Sequence, residues 1–348
     1  MLVATGFTSH GVLLYKVSSM FIDCVHNQTN DSLLQSCTRS INNRVSFILV
    51  AIGFLCALFA GVQPELSAQE RKPLVVATTT IVADTVRNIA GDTINLVSLM
   101  GPGVDPHLYK ASHGDLRSLR DAELIFYSGL HLEGRMQEVF DSLSKKKRVY
   151  ALAAAIPTDK LTAPVGFDGQ FDPHVWFDIS LWIRTLEVVK DALSEVFPSH
   201  KELYSTHARR YKGQLETLDQ WVRDELARVP KAQRVLITAH DAFGYFGRAY
   251  GFEVTGLQGI STASEFGLHD VKRLVDLITE RRIKALFVET SVAEKFIISV
   301  QQGAAAQGMP VAIGGSLYSD ALGEMRSGAE TYEGMIRHNV STIVKALL

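Results

Sequence analysis

Three histidines and one aspartate have the residue types and the positions expected of metal ligands. His107 and His174 each close an Asp-Pro-His triplet. His240 directly follows a stretch that we predict to be a strand, and Asp320 follows a second predicted strand through a turn-rich loop. Neutral imidazoles together with one carboxylate suit a divalent first-row metal ion such as Zn²⁺ or Mn²⁺.

Each of these residues has a simpler interpretation when it is taken alone. A single histidine is more often a hydrogen-bonded structural residue than a ligand, and Asp-Pro opens many turns. Two Asp-Pro-His triplets in one chain favour a shared role, because proline fixes φ and presents each imidazole from a stiff loop. Asp105 and Asp172, two residues earlier, could orient the rings or merely cap turns. We assign structural or surface roles to the other histidines of the mature chain that we considered: His113, His131, His200, His207 and His269.

The elements that must position these side chains alternate between strand and helix. Apolar and β-branched runs predict strands at 74–80, 94–100, 122–127, 148–153, 234–238, 252–257, 285–289 and 311–313. Helical spacing predicts helices at 81–90, 112–120, 134–144, 180–196, 243–250, 269–281, 293–307 and 330–346. This alternation indicates an α/β fold with parallel sheets. Ligands of such folds bind outside the carboxyl ends of the strands, where the four residues fall.

One long helix at 199–229 divides the chain. Its apolar residues recur every three or four positions, Ser199 and Glu202 have the spacing of a capping box, and Pro230 follows the last periodic residue. The apolar stripe consists of Tyr204, Ala208, Tyr211, Leu215, Leu218, Val222 and Val229. We therefore expect two similar α/β lobes, at 73–198 and 231–348, joined by one rigid helix with the metal site in the cleft between them.

Composition and the N-terminus restrict the class of protein. The chain has 348 residues and a net charge of −2, so it offers no basic surface for nucleic acid. We interpret residues 1–68 as an N-terminal extension and signal segment, because the apolar run 45–62 precedes a small-residue cleavage pattern ending near Ala68. An uncleaved membrane anchor is the alternative. All three cysteines precede Ala68, so the mature chain would have no thiol for metal binding.

Four motifs in order resemble the TroA-type metal-binding receptors of ABC importers. They lie at 101–107, 171–178, 238–246 and 314–320, and the similarity extends over residues 73–348. The resemblance implies a two-lobed clamp that holds a divalent metal on His107, His174, His240 and Asp320. It also implies a periplasmic, non-enzymatic receptor that delivers Zn²⁺ or Mn²⁺ to an ABC permease of the inner membrane, and we expect a monomer.

Two departures from relatives concern the metal. Many manganese-preferring relatives carry Glu where this chain has His240, and zinc-specific relatives often carry a His-rich acidic loop that is absent here. The sequence therefore leaves zinc and manganese open.

Two other classes of function compete with a metal receptor. A zinc metallohydrolase could use the same His/His/His/Asp cluster, but the chain has no H-E-x-x-H motif and no nucleophile or general base at a diagnostic spacing. A receptor for an organic solute could have a similar linking helix, but four ligand-type residues at the lobe edges argue against it.

Overall fold

The computed structural model describes residues 71–348 except 165, 166 and 168, together with position 39. Residues 71–348 form one compact unit. The predicted signal segment, the alternative anchor and the three cysteines lie outside the described residues. Within the described residues, every helix is too short or too polar to cross a bilayer.

The N-terminal part contains one parallel sheet covered by helices on both faces. Its strands run in the order β2-β1-β3-β4, and every neighbouring pair is parallel. The strands are β1 (Leu74–Ala77), β2 (Asn95–Ser98), β3 (Leu124–Tyr127) and β4 (Arg148–Ala151). The helices are α1 (Thr80–Ala90), α2 (His113–Asp121), α3 (Gln137–Ser144) and α4 (Ile179–Val196). Each predicted strand and helix of this part is present, although the strands are shorter than predicted, Thr80 begins α1, and Gly134–Met136 form a 3₁₀ turn.

A second set of parallel strands follows the long helix α5 (Lys201–Ala227). Strand β5 pairs with β6, β7 pairs with β8, and β5 packs beside β7. The strands are β5 (Val235–His240), β6 (Glu253–Gln258), β7 (Ala285–Glu289) and β8 (Ala312–Leu317). The helices are α6 (Gly244–Tyr250), α7 (Leu268–Arg281), α8 (Lys295–Ala306) and α9 (Tyr332–Leu347). The α/β class with parallel sheets is therefore confirmed.

Strand β8 continues further than the sequence predicts. Residues 315–317, predicted as loop, pair with β7 beyond an irregularity in register between Leu286 and Phe287, at which Gly314 is skipped. A Cβ on Gly314 would lie 2.7 Å from the Cβ of Ala346 in α9, so glycine allows the helix to approach the strand closely. A Gly-Gly pair usually indicates a turn, but Gly314 and Gly315 lie in the strand and leave room for α9.

Helix α5 is confirmed as one long helix, with corrections at both ends. It has 27 residues, a length of about 40 Å. The predicted capping box of Ser199 and Glu202 is wrong, because Pro198–His200 form a 3₁₀ turn and no side chain caps the helix. The helix ends at Ala227, so Val229 lies beyond it, although Val229 is buried.

The largest apolar core forms around α5. The predicted stripe is buried from Tyr204 to Val222, and the core joins it to residues of α1, α4, α6 and α9. Tyr211 of α5 also donates a hydrogen bond to the buried Asp84 carboxylate of α1 at 3.3 Å, and the Tyr332 amide of α9 donates to the same oxygen at 3.2 Å. Helix α5 therefore packs against both parts of the molecule along its length.

We expect Gly213→Ala to raise the free energy of unfolding by about 0.5–1 kcal/mol, because glycine inside a helix is disfavoured relative to alanine. Gly213 is exposed in α5, and no atom lies within 4 Å of the position its Cβ would take. Denaturant unfolding followed by circular dichroism measures the change. Gly314→Ala is the matched control and should destabilise the protein through the Ala346 contact. Reduced stability of Gly213→Ala would contradict the straight, unstrained helix.

Candidate metal centre

His240 is the last residue of the buried strand β5. All six residues of this strand are buried, so its end point is fixed by core packing. The Thr238 hydroxyl donates a hydrogen bond of 2.7 Å to the His240 carbonyl oxygen. The His240 imidazole is therefore positioned at the carboxyl end of β5.

Asp320 follows β8 and is only 1% exposed. The Ser291 hydroxyl, just beyond β7, donates to Asp320 Oδ2 at 3.3 Å. The indole nitrogen of Trp176 donates to the preceding carbonyl oxygen of Ser319 at 3.0 Å. Asp320 is therefore held by contacts from both parts of the chain.

The two Asp-Pro-His triplets occupy loops on the N-terminal side of the site. His107 lies between β2 and α2, and His174 lies between β4 and α4, just before the 3₁₀ turn Val175–Phe177. The Asp105 carboxylate accepts a hydrogen bond from the His107 amide at 2.8 Å, and the Asp172 carboxylate accepts one from the His174 amide at 3.0 Å. Each aspartate thus caps the turn that presents its histidine.

The structure brings all four sequence-predicted residues together. One ligand-type atom of each of His107, His174, His240 and Asp320 lies within 4.8 Å of the others, and all four residues are buried. The Nε2 atoms of His107 and His174 are 3.3 Å apart. His174 Nε2 lies 3.4 Å from Asp320 Oδ1, and His240 Nε2 lies 3.3 Å from Asp320 Oδ2.

The three spacings of 3.3, 3.4 and 3.3 Å fit ligands of a single metal ion. Ligand atoms at about 2.0–2.1 Å from a tetrahedral zinc ion lie roughly 3.3 Å from one another. Within the described residues, His240 Nε2 and Asp320 Oδ1 are buried without a hydrogen-bond partner. A divalent cation among the four residues would provide the partner that these donor atoms lack.

Two further carboxylates orient two of the imidazoles. Asp172 Oδ1 lies 2.7 Å from His174 Nδ1, and Glu289 Oε2 lies 2.6 Å from His240 Nδ1. The other oxygen of Glu289 accepts a hydrogen bond from the His240 amide at 2.8 Å. A carboxylate beside Nδ1 favours the tautomer that leaves Nε2 free to bind metal, and it increases the basicity of the ring.

Burial and charge shift the pKa values of these residues in different directions. Burial lowers the pKa of His107 to about 3. Burial alone would also lower the pKa of His174, but the Asp172 and Asp320 carboxylates outweigh it and raise that pKa to about 9. The pKa of His240 is likewise raised against burial, by Glu289 and Asp320, and the two imidazoles hold the pKa of Asp320 well below its usual value. Both shifts favour protonated His174 and His240 in the metal-free protein, and a metal ion bound at Nε2 would displace those protons.

Sequence reasoning missed Glu289 and left the role of Asp172 open. Glu289 ends the predicted strand 285–289, and its position at a carboxyl end was the available signal. Asp172 contacts the ring of its histidine and caps its turn, whereas Asp105 caps its turn without contacting the His107 ring. The histidines assigned to other roles lie elsewhere. His113, His131, His200 and His269 are exposed, and His207 bonds to the Ile89 carbonyl oxygen at 3.0 Å.

Comparisons with known proteins show which proteins the whole chain resembles. A family model described as ZnuA, zinc-uptake complex component A, periplasmic, matches residues 75–346. The chain is 53% identical over 273 residues to the manganese-binding lipoprotein MntA of Bacillus subtilis (strain 168), covering 78% of this chain and 89% of that protein. It is 43% identical over 307 residues to the zinc-binding protein TroA of Treponema pallidum (strain Nichols), covering 88% and 99%. A solved structure of the periplasmic zinc-binding protein TroA from Treponema pallidum has a TM-score of 0.77 and 46% identity, covering 79% of this chain and 99% of that chain.

We expect the metal-free protein to lose stability as the pH rises from about 6.5 to 9. The folded-state pKa of His174, about 9, exceeds the ordinary histidine value of 6.5, so in this window the folded state binds more protons than the unfolded chain. The free energy of unfolding then falls with pH, by about 1–3 kcal/mol. Denaturant melts at several pH values measure this slope. The stability of zinc-loaded protein should not fall in this way. A rise in the stability of metal-free protein across the same pH window would contradict the raised pKa of His174.

Proposed function

The chain belongs to the ZnuA family of zinc-uptake complex components, and from this membership we propose that it is an extracytoplasmic receptor for a divalent transition metal. The metal is zinc, manganese or both, and it is the cargo of an ABC importer rather than a cofactor for chemistry. The observation that carries the proposal is the convergence of four buried donor atoms within 4.8 Å. Three of them are imidazole nitrogens and one is a carboxylate oxygen.

We propose His107, His174, His240 and Asp320 as the protein ligands of this metal. Nitrogen-rich sites with one carboxylate accept zinc, and imidazole and carboxylate also suit manganese. The relatives are named for both metals: MntA of Bacillus subtilis for manganese and TroA of Treponema pallidum for zinc. The donor set therefore supports one divalent site without selecting between the two ions.

We propose that the protein is not an enzyme. The relatives are named as binding proteins. The buried carboxylates nearest the cluster, Asp172 and Glu289, each lie against a histidine Nδ1, so neither is free to act as the general base that hydrolysis needs. No observation favours the metallohydrolase alternative.

Membership of this family also suggests where the protein acts and what it binds. We propose that residues 73–198 and 231–348 are two lobes joined by the helix, that residues 1–68 direct export, and that the receptor acts in the periplasm. We further propose that it is a monomer and docks on an inner-membrane ABC permease. The family is described as periplasmic, which supports this location.

We expect purified protein to carry about one metal ion per chain, and His107→Ala and His240→Ala each to abolish tight binding. Loss of one ligand of four leaves an incomplete coordination sphere. Plasma mass spectrometry gives the metal content, and competition with a chelator gives the affinity. His269→Ala is the control, because its side chain is 90% exposed. If both site variants retain the wild-type stoichiometry and affinity, the proposed function is wrong.

We expect metal release to involve a small motion rather than wide opening of the cleft. Bending α5 would break backbone hydrogen bonds, and the helix contains no proline and no Gly/Ser pair. The loops that carry His174 and Asp320 should move instead. Small-angle scattering of stripped and loaded protein measures this. A change of several ångströms in the radius of gyration would rule out the rigid connection.

A further inference from the structure

His107 is held differently from the other two histidines of the cluster. Asp172 contacts both the amide and the ring Nδ1 of His174, and Glu289 does the same for His240. Asp105 contacts only the amide of His107. Among the described residues, no carboxylate forms an ion pair with the Nδ1 atom of His107. The orientation of this imidazole therefore depends on the position of its loop.

The second oxygen of Asp105 connects that loop to the C-terminal part of the chain. The Thr262 hydroxyl donates a hydrogen bond of 2.6 Å to Asp105 Oδ2. Thr262 is 8% exposed and lies 157 residues further along the chain, in the segment after β6. The Asp105 carboxylate consequently joins the His107 amide on one side to the Thr262 hydroxyl on the other.

The segment that carries Thr262 is itself fixed. Gln258, the last residue of β6, donates from its side-chain amide to the Thr262 and Ser264 carbonyl oxygens, each at 2.8 Å. These bonds hold the turn after β6 against the end of its own strand. Thr262 is thereby a rigid contact point rather than a residue of a free loop.

The His107 loop meets the C-terminal part at a second position. Gly103 has a φ of +67°, and a Cβ on it would lie 3.6 Å from the Thr290 carbonyl oxygen, just beyond β7. The rings of His107 and His240 have centroids 5.9 Å apart. The loop at 101–107 therefore lies against the C-terminal part, and Thr262 supplies its side-chain hydrogen bond to Asp105.

From these contacts we propose that the Thr262–Asp105 hydrogen bond is a latch across the cleft that positions His107 and sets how long bound metal is retained. The proposal rests on the proposed function and concerns a positioning residue, since Thr262 acts through Asp105. With the latch formed, Asp105 is held at both oxygens and His107 Nε2 faces the cluster. Without this hydrogen bond, the loop at 101–107 loses one contact with the C-terminal part, and the His107 imidazole can move away from the metal.

The latch should act mainly on dissociation of the metal. Changes within one interface usually alter the dissociation rate more than the association rate. A hydrogen bond to a charged acceptor is stronger than one between neutral groups, and its loss corresponds to roughly a tenfold change. We therefore expect Thr262→Val, which keeps the side-chain shape but removes the hydroxyl, to release Zn²⁺ about tenfold faster than wild type.

The experiment compares Thr262→Val with Thr262→Ser and with a matched control. Thr262→Ser keeps the hydroxyl and should restore retention to within about twofold of wild type, because the donor is preserved. Thr185→Val removes a buried hydroxyl that bonds only to the Trp182 carbonyl oxygen within α4, and it should leave release unchanged. Stopped-flow transfer of Zn²⁺ to a chromogenic chelator gives the dissociation rates, and melts of metal-free protein report folding.

A double-mutant cycle with Asp105→Asn tests whether Thr262 acts through Asp105 or only supports the fold. If the two residues act through their mutual contact, the effects of Thr262→Val and Asp105→Asn on the dissociation rate should not add. Additive effects would overturn the latch, as would unchanged Zn²⁺ release by Thr262→Val or equal acceleration by Thr262→Val and Thr262→Ser. Failure of wild-type protein to bind either Zn²⁺ or Mn²⁺ would overturn the proposed function itself, and the latch with it.

Discussion

Burial of carboxylates among imidazoles is the constraint on which the site depends. Asp320, Asp172 and Glu289 are almost inaccessible to solvent, and a buried carboxylate is costly unless a positive charge accompanies it. The raised pKa values of His174 and His240 indicate that protons supply this charge in the metal-free protein. A divalent cation that displaces these two protons leaves the total charge of the cluster unchanged. The buried carboxylates are thus balanced by positive charge in both the protonated, metal-free cluster and a metal-bound one.

The fold meets this constraint by bringing strand ends together. His240 and Glu289 end the neighbouring strands β5 and β7, so a histidine and its carboxylate partner meet without a long loop. Helix α5 packs against α1, α4 and α9, which links the N-terminal part that carries the histidine loops to the part that carries these strand ends. The geometry of the cluster therefore depends on the packing around α5 as well as on the four residues themselves.

Much of this arrangement could be predicted because its sequence patterns are regular or repeated. Regular apolar spacing located α5 and the alternating strands, and the repeated Asp-Pro-His triplets located His107 and His174. The predicted cap at Ser199 was wrong because the residues around it form a 3₁₀ turn, a choice between local structures that differ little in energy.

The role of Glu289 could not be predicted because it depends on contacts between distant parts of the chain. Glu289 lies 49 residues from His240, and a single glutamate at a strand end carries no sequence pattern that identifies its partner. The triplets illustrate the same limit. Asp105 and Asp172 are both followed by Pro-His, yet Asp172 contacts its imidazole and Asp105 contacts Thr262. Tertiary packing gives the same three residues two different roles.

This asymmetry bears on how a receptor can both capture a metal tightly and release it. His174 and His240 are oriented by carboxylates that belong to their own part of the fold, so their orientation does not require a contact with the other part. Orientation fixed in advance reduces the entropy lost on binding and favours capture. His107 lacks such a carboxylate, and its loop is anchored across the cleft. Under the proposed function, loosening the His107 loop would weaken the site through one ligand, in addition to any motion of the loops that carry His174 and Asp320.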